Sequence, residues 1–417
     1  MAEHRTDIAI IGAGIVGLST ALELVERGRS VVVIDPDDAL ARASYGNAGV
    51  ISRGSIFPVA GPGLLAKLPR YAMGRDIAVR IRLTSFPDFA AWLPRFLAAA
   101  NEPAWRRAAS ALNPLVAESY SRHMALAERV GARHMIKRNG YLRLYRDQRG
   151  AAAAKLERSV LAEHGVRVEE LDAGAIIDLE PHLRPRFTSG LFFADSGSVE
   201  SPGTLVEAYA DHLRARGTAF VKAAARSIEQ GGDAVTVRAG DETIVAQKVV
   251  LSAGTRSAGL ARALGCRIPL AAERGYHLHL RPAGNALLNR PVFDAAGGYV
   301  MSPMGELVRV LSGVELARPD DPRDERQIRA VVADAQRSLP LADTPGEKIW
   351  MGSRPSTPDG LPVIGHPRGN SRLFFAFGHG HIGFSNGPIT GLVAAQMLSG
   401  ETPAIPMAPF SPSRFGI

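Results

Sequence analysis

The stretch TDIAIIGAGIVGLSTALELVERGRSVVVIDPDD, residues 6–38, constrains the fold of this chain more than any other. It opens on DIAII, a nearly continuous apolar run, which is how a parallel strand buried on both faces reads. Gly12, Gly14 and Gly17 follow in the order G-x-G-x-x-G. Val16, Leu18, Ala21, Leu22 and Val25 then share one broad face at helical spacing, and Gly28 ends the helix. SVVVID is a second buried strand that ends in Asp35, 18 residues past Gly17. Each part has a physical task. Gly12 makes the tight turn, Gly14 lets a pyrophosphate approach the backbone, and Gly17 permits close helix–strand packing. The helix N-terminus faces the phosphates and Asp35 holds ribose hydroxyls. The predicted ligand is an ADP-containing dinucleotide, with Ile15, Val16 and Pro36 completing its contacts here.

The rest of the chain bears on which dinucleotide. A second glycine-bearing strand, KVVLSAG (248–254), lies far downstream. It follows residues 217–246, which read as one strand and then a β-meander with turns at GGD and AGD. A nucleotide domain closed by such distant segments is the pattern of FAD-binding oxidoreductases. The expected cofactor is therefore FAD. The expected cofactor domain is discontinuous (1–57, 187–265 and 346–417), with a substrate domain (58–186 and 266–345) inserted between its parts.

Bulk composition excludes several classes. Cys266 is the one cysteine among 417 residues, so no disulfide framework or multi-cysteine metal cage is possible, and it reads as a small core residue. The net charge is +8, but 43 of the 49 basic residues are arginines spread along the chain, and no nucleic-acid motif accompanies them. The N-terminus starts a strand almost at once, without the basic and apolar regions of a secretory signal. The most apolar run, FPDFAAWLPRFLAAA (86–100), is broken by Asp88, Pro94 and Arg95 and is too short to span a bilayer. A cytoplasmic location is expected. From Leu64 to Arg107 eight basic residues face three acidic ones, interleaved with Leu, Ile, Phe, Trp and Tyr. Such a segment reads either as a peripheral contact on the inner face of an anionic membrane or as a solvated helical cap on the substrate domain.

The stretch AFGHGHIGFSNGP (376–388) places His379 and His381 among Gly378, Gly380, Gly383 and Gly387. Two histidines without a nearby Cys, Asp or Glu make a poor metal site. The residues after them predict a helix: Ser385 or Asn386 as cap, Pro388 in the first turn, Ile389, Leu392, Val393 and Gln396 at helical spacing, and Gly400 at the end.

Together with the first βαβ unit, the segments SYGNAG (44–49), RGY (274–276), SGVEL (312–316), RPSTPDGLPVIG (354–365) and FGHGHIG (377–383) resemble the flavoprotein D-amino-acid dehydrogenases. That family lies within the group of glycine oxidase, sarcosine oxidase and D-amino-acid oxidase, and the resemblance runs over nearly the whole chain. It implies an α/β plus α+β fold, in which an FAD-binding Rossmann-like domain carries a substrate domain built on a mostly antiparallel sheet. It implies oxidation of a D-amino acid to its imine and 2-keto acid by hydride transfer to FAD, with electrons passed to a quinone or carrier protein. A secondary amino acid (D-proline, D-hydroxyproline, sarcosine or an opine) is the alternative substrate, and oxygen the alternative acceptor. By the same resemblance Ser44, Asn47, Ala48, Gly49 and Val50 line the pyrophosphate and flavin, Ala225 touches adenine through its backbone, and Ala253 and Gly254 lie at the pyrophosphate. Gly378, Gly380, His381, Ile382 and Gly383 pack against the flavin ring, where a side chain would hold the backbone away.

For the substrate, the resemblance makes Arg354 the partner of the carboxylate, a role for which a bidentate, permanently charged guanidinium is suited. Tyr276 and Tyr299 are candidate lids or donors to that carboxylate, with core aromatics as the equal alternative. His379 is implied to hold the flavin or orient the substrate. His381 is open between a polar role over the pocket and a structural one, and Arg53 is a candidate extra charge. No cysteine lies in WMGSRPSTPD (350–359), where some sarcosine oxidases attach their flavin, so the FAD is expected to be noncovalent.

Overall fold

The computed structural model describes residues 3–74, 76–342 and 348–417. Arg75, counted above in the basic segment, and the 345/346 domain boundary lie outside them.

Two large sheets organise the chain. The first is built around five parallel strands in the order Ala219–Val221, Val31–Ile34, Glu3–Ile11, Glu242–Leu251 and Leu373–Phe377. Its apolar continuity has a simple cause, since both faces are covered. Ile8 and Ile10 point into one core with the helices Ile15–Glu26 and Gly383–Leu398, while Ala9 and Ile11 point into another with Val249, Leu251 and Phe375. The predicted meander forms on that second side, where Ala225–Gly231, Ala234–Ala239 and Glu242–Leu251 pair antiparallel.

The second sheet has eleven strands among the described residues. Its pairings are antiparallel except Val292–Asp294 with Leu142–Tyr145 and Val314–Leu316 with Val79–Ile81. The long strand Ala271–Pro282 is its spine, flanked by Trp350–Ser356 and Leu307–Leu311. Side chains alternate across it. Tyr276 and Leu280 go into a core with Ile328, Val331 and Ala335 of the helix Arg326–Ala335, whereas Glu273 and Gly275 border the cavity between the sheets.

The sheets do not follow the expected sequence boundaries. Ser189–Phe192 and Trp350–Ser356 fall in ranges expected for the cofactor domain, yet they pair with Leu142–Tyr145 and Ala271–Pro282 in the second sheet. The helices Glu102–Ala117 and Ser119–Arg129, in the range expected for the substrate domain, share a core with Ile15–Glu26 and Gly383–Leu398. The reason is chain economy: a strand entering one sheet from the other crosses within a few residues, and no composition change marks the crossing.

The last α-helix starts earlier than expected. It begins at Gly383, so Ser385 and Asn386 lie inside its first turn and neither caps it. Pro388 is then an interior residue, and its missing N–H frees the carbonyl of Phe384 four residues back. The buried His123 ring fills the gap, with its Nε2 2.9 Å from that carbonyl. Asn386 accepts a 2.5 Å hydrogen bond from Ser119. Gly391 lets the two long helices cross closely, because a Cβ there would sit 2.5 Å from the Ser19 carbonyl carbon. Among the described residues no helix is long and apolar enough to cross a membrane.

Candidate active site

The carboxyl ends of the parallel strands and the inner face of the second sheet enclose a cavity of about 840 Å³. This is where ligands bind in open α/β sheets. At its nucleotide end Gly12 has φ +115°, and a Cβ there would meet the Ser252 carbonyl oxygen at 2.4 Å. Gly12 therefore fits only as glycine. Gly14 faces open space, with the nearest atom to a built Cβ being Ser44 Oγ at 3.4 Å. Gly17 does not reach the cavity; its missing side chain makes room for the Gly12 carbonyl, 2.0 Å from a built Cβ. Ser44 Oγ accepts from the Ile15 amide at 3.0 Å and so caps the first helix from a separate loop. Asp35 accepts from the Ala13 amide at 2.6 Å through one oxygen and from the Asp37 amide at 2.8 Å through the other. It braces the glycine turn as well as bordering the cavity.

The loop 44–49 is fixed from the second sheet by side chains that sequence reading missed. The buried Arg309 donates to the carbonyls of Tyr45 (2.8 Å) and Asn47 (2.6 Å), and Ser302 donates to that of Ala48 (2.6 Å). Burial lowers the Arg309 guanidinium to about 10. Asn47 turns its own side chain to the Gly49 amide at 2.8 Å. Ile15, Val16, Ser44, Asn47, Ala48, Val50, Ala253 and Gly254 line the cavity. Pro36, Gly49 and Ala225 do not; Ala225 sits at the irregular start of the meander, paired with Ala239.

At the far end, His379, Gly380, His381, Ile382 and Gly383 border the cavity, while Gly378 faces a smaller void behind it. Gly378 and Gly380 have φ of +84° and +53°, so their glycine requirement is set by backbone conformation. The His379 Nε2 lies 3.0 Å from the Thr390 hydroxyl, and burial lowers the ring to about 3. His381 is lowered to about 4 by burial, then by the charges of Arg354 and Arg143. Both rings are neutral at physiological pH.

Arg354 reaches into the cavity from Trp350–Ser356. Its guanidinium lies over Gly275, where a built Cβ would be 2.3 Å from Nη2. It donates to the Gly313 carbonyl at 3.2 Å, and among the described residues it forms no ion pair. The nearest charge acting on it is Glu273, directly opposite in the register. Glu273 is 3% exposed, and its Oε2 has no hydrogen-bond partner. The only sequence signal for Glu273 is its place two residues before Gly275, visible once strand parity is known.

Three expected site residues aim their polar ends away from the cavity. The Tyr276 hydroxyl is on the opposite face of the sheet, where it donates to Glu315 at 2.6 Å and accepts from Arg274 at 2.8 Å. Tyr299 packs in that same core, with its oxygen 3.4 Å from the Ser338 hydroxyl. Both residues border the cavity, but their hydroxyls are engaged in the core behind the sheet. Arg53 points away from the cavity and donates to the His164 carbonyl at 3.3 Å. Arg143 takes the charged place instead, lining the cavity between Phe193 and Phe293 with Glu157 as its ion partner.

The residues present fit FAD. The glycine turn opens on the cavity, and the buried hydroxyls of Ser52 and Ser385 line it without hydrogen-bond partners. Cys266 lies outside the lining, and among the described residues no cluster of ligands could hold a metal.

Comparison with known proteins agrees with this geometry. The family model described as FAD dependent oxidoreductase (DAO) matches residues 7–397. A D-amino-acid oxidase of Bradyrhizobium diazoefficiens is 36% identical over 98% of both chains. D-amino acid dehydrogenase 2 of Ralstonia nicotianae is 31% identical over 98% of this chain and 100% of its own. The crystal structure of glycine oxidase from Geobacillus kaustophilus superposes with a TM-score of 0.79 at 22% identity, covering 99% of each chain. The chain belongs to the DAO family of FAD-dependent oxidoreductases.

Proposed function

We propose that the protein oxidises a small D-amino acid at its Cα–N bond, giving an imine that water converts to a 2-keto acid and ammonia. The observation that carries this reading is Arg354, a half-buried guanidinium without an ion partner among the described residues, facing the same cavity as the glycine turn. A partly desolvated cation without a counter-ion is costly. A substrate carboxylate on Arg354 relieves that cost and fixes the Cα by two parallel hydrogen bonds. Bound in the cavity, noncovalent FAD supplies a two-electron acceptor. The protein supplies orientation. Gly275 leaves room for the guanidinium, and the neutral rings of His379 and His381 wall the pocket without competing for the carboxylate. The N-terminus of Gly383–Leu398 sets a positive dipole end at the cavity.

The relatives' names support the substrate class, one an oxidase and one a dehydrogenase of D-amino acids. The test is an anaerobic visible spectrum of the purified protein, followed through additions of D- and L-alanine, D-proline, D-hydroxyproline and sarcosine. Bleaching by a D-amino acid carries the reading, bleaching by sarcosine alone moves it to secondary amines, and no bleaching ends it. Arg354→Ala should keep its flavin and lose about 2–5 kcal/mol of transition-state stabilisation in kcat/KM. Acid precipitation should leave the protein colourless, and a peroxide assay separates oxygen from another acceptor.

We further propose that the surface near residues 59–86 meets the electron acceptor or a membrane face. Val59, Leu65, Met73 and Phe86 are each about half exposed there. Arg70, Arg80, Arg82 and Arg106 pair with Asp76, Asp324, Glu315 and Glu102, so Lys67, Arg95, Arg107 and the apolar side chains are what the described part of the segment offers. Lys67→Glu with Leu65→Ser should lower vesicle binding while sparing dye-linked turnover.

A further inference from the structure

A zwitterionic substrate brings an ammonium together with its carboxylate, and the site described so far has a partner for the carboxylate only. The ammonium must also lose a proton, because a protonated amine has no electron pair to drive oxidation at Cα. Glu273 meets both needs by position. It stands opposite Arg354 in the register, borders the cavity, and is buried with Oε2 unpartnered. Arg354 and Glu273 are cross-strand neighbours, yet they do not form an ion pair; the guanidinium swings over Gly275 and leaves Oε2 of the carboxylate unpartnered. The two charges are thus set side by side and apart, as the two ends of an amino acid are.

We propose that Glu273 is the acceptor for the substrate's amino group. It pairs with the entering ammonium and takes one proton from it. The step balances as R–NH3+ with Glu–COO− giving R–NH2 with Glu–COOH; the N–H bond breaks, an O–H bond forms at Oε2, and the lone pair stays on nitrogen. This rests on the amino-acid reading above. Burial pushes the Glu273 carboxyl upward, opposed by Arg354 and by the Ser356 hydroxyl, which suits a proton acceptor. The other titratable groups facing it are His379 and His381, which border the same small void. His379 is held neutral by burial, and His381, which opens on the cavity, by desolvation together with the nearby Arg354 and Arg143; neither supplies a competing charge.

The test uses the FAD-loaded protein and the amino acid that bleaches it best, with D-alanine tried first. Glu273→Gln should bind propanoate, which has a carboxylate and no amine, within about threefold of wild type by flavin spectral shift. Its anaerobic bleaching rate at pH 7 should fall by at least about 100-fold and then climb about tenfold per pH unit toward the pKa of the free amino acid. Wild type should show no such climb between pH 7 and 9. Glu273→Asp should restore part of the rate at pH 7. An unchanged pH profile in Glu273→Gln overturns the proposal. Should that variant lose its flavin, the wild type still decides, since a tenfold rise per pH unit in its own bleaching rate leaves no place for an internal acceptor. If no amino acid bleaches the wild type, the amino-acid reading fails and this proposal with it. Bleaching without the pH effect sinks Glu273 alone.

Discussion

The two ends of the cavity are built in opposite ways. The nucleotide end is made mostly of backbone from the first fifty residues and from 252–256, braced by Asp35 through the Ala13 amide and capped by Ser44. The substrate end is made of side chains from segments far apart in sequence: Arg143, Glu273 and Arg354 on strands and His381 on the turn Gly380–Ile382. A backbone site depends on spacing, and spacing is written in the chain. A side-chain site depends on which way each residue of a strand points, and a one-residue change of parity moves a side chain to the other face.

That contrast predicts unequal responses to substitution. The largest effect should come from Gly12→Ala. It forces an L side chain into φ +115° and against the Ser252 carbonyl, a strain of roughly 1–3 kcal/mol before the clash is counted. Flavin content per protein should drop below a tenth of wild type; near-stoichiometric flavin would show that the nucleotide end is more adaptable than the contrast allows.

Tyr276→Phe should act on the fold and spare the chemistry. Removing the hydroxyl leaves Glu315 and Arg274 short of a buried partner, a cost of about 1–3 kcal/mol in unfolding free energy. KM for the amino acid should stay within about twofold. A large KM change would put Tyr276 back at the substrate end.

The next effect is on pH dependence. His123 is lowered to about 4 by burial, against a gain from its bonds to Phe384 and Ser385. Below its unfolded value of 6.5 the unfolded chain binds the extra proton and the folded one does not. Its contribution is therefore complete above pH 6.5 and is lost as pH falls toward 4, a swing of about 3 kcal/mol. His123→Gln keeps a donor for the Phe384 carbonyl and should flatten the fall in melting temperature between pH 7 and 5. An identical fall in both proteins would mean other groups carry it. Arg53→Ala should do least, with dye-linked kcat/KM within about twofold of wild type, since its guanidinium points to the His164 carbonyl.

The sequence by itself determined the first βαβ unit, the meander, the cofactor class and the residues of the nucleotide turn, because those follow from local periodicity and from glycines with backbone tasks. It also singled out Arg354, through a motif that resembles relatives. The tertiary structure decided the rest. It turned the hydroxyls of Tyr276 and Tyr299 into a core, aimed Arg53 at the His164 carbonyl, and moved Ser189–Phe192 and Trp350–Ser356 into the second sheet. It also brought in Arg143 and Arg309, which carry no local signal of their own, and Glu273, whose signal is readable only once strand parity is known. The physical reason is that a residue's type is fixed by the chain, whereas the face it presents is fixed by strand register, and register is settled by pairing between segments that lie tens to hundreds of residues apart.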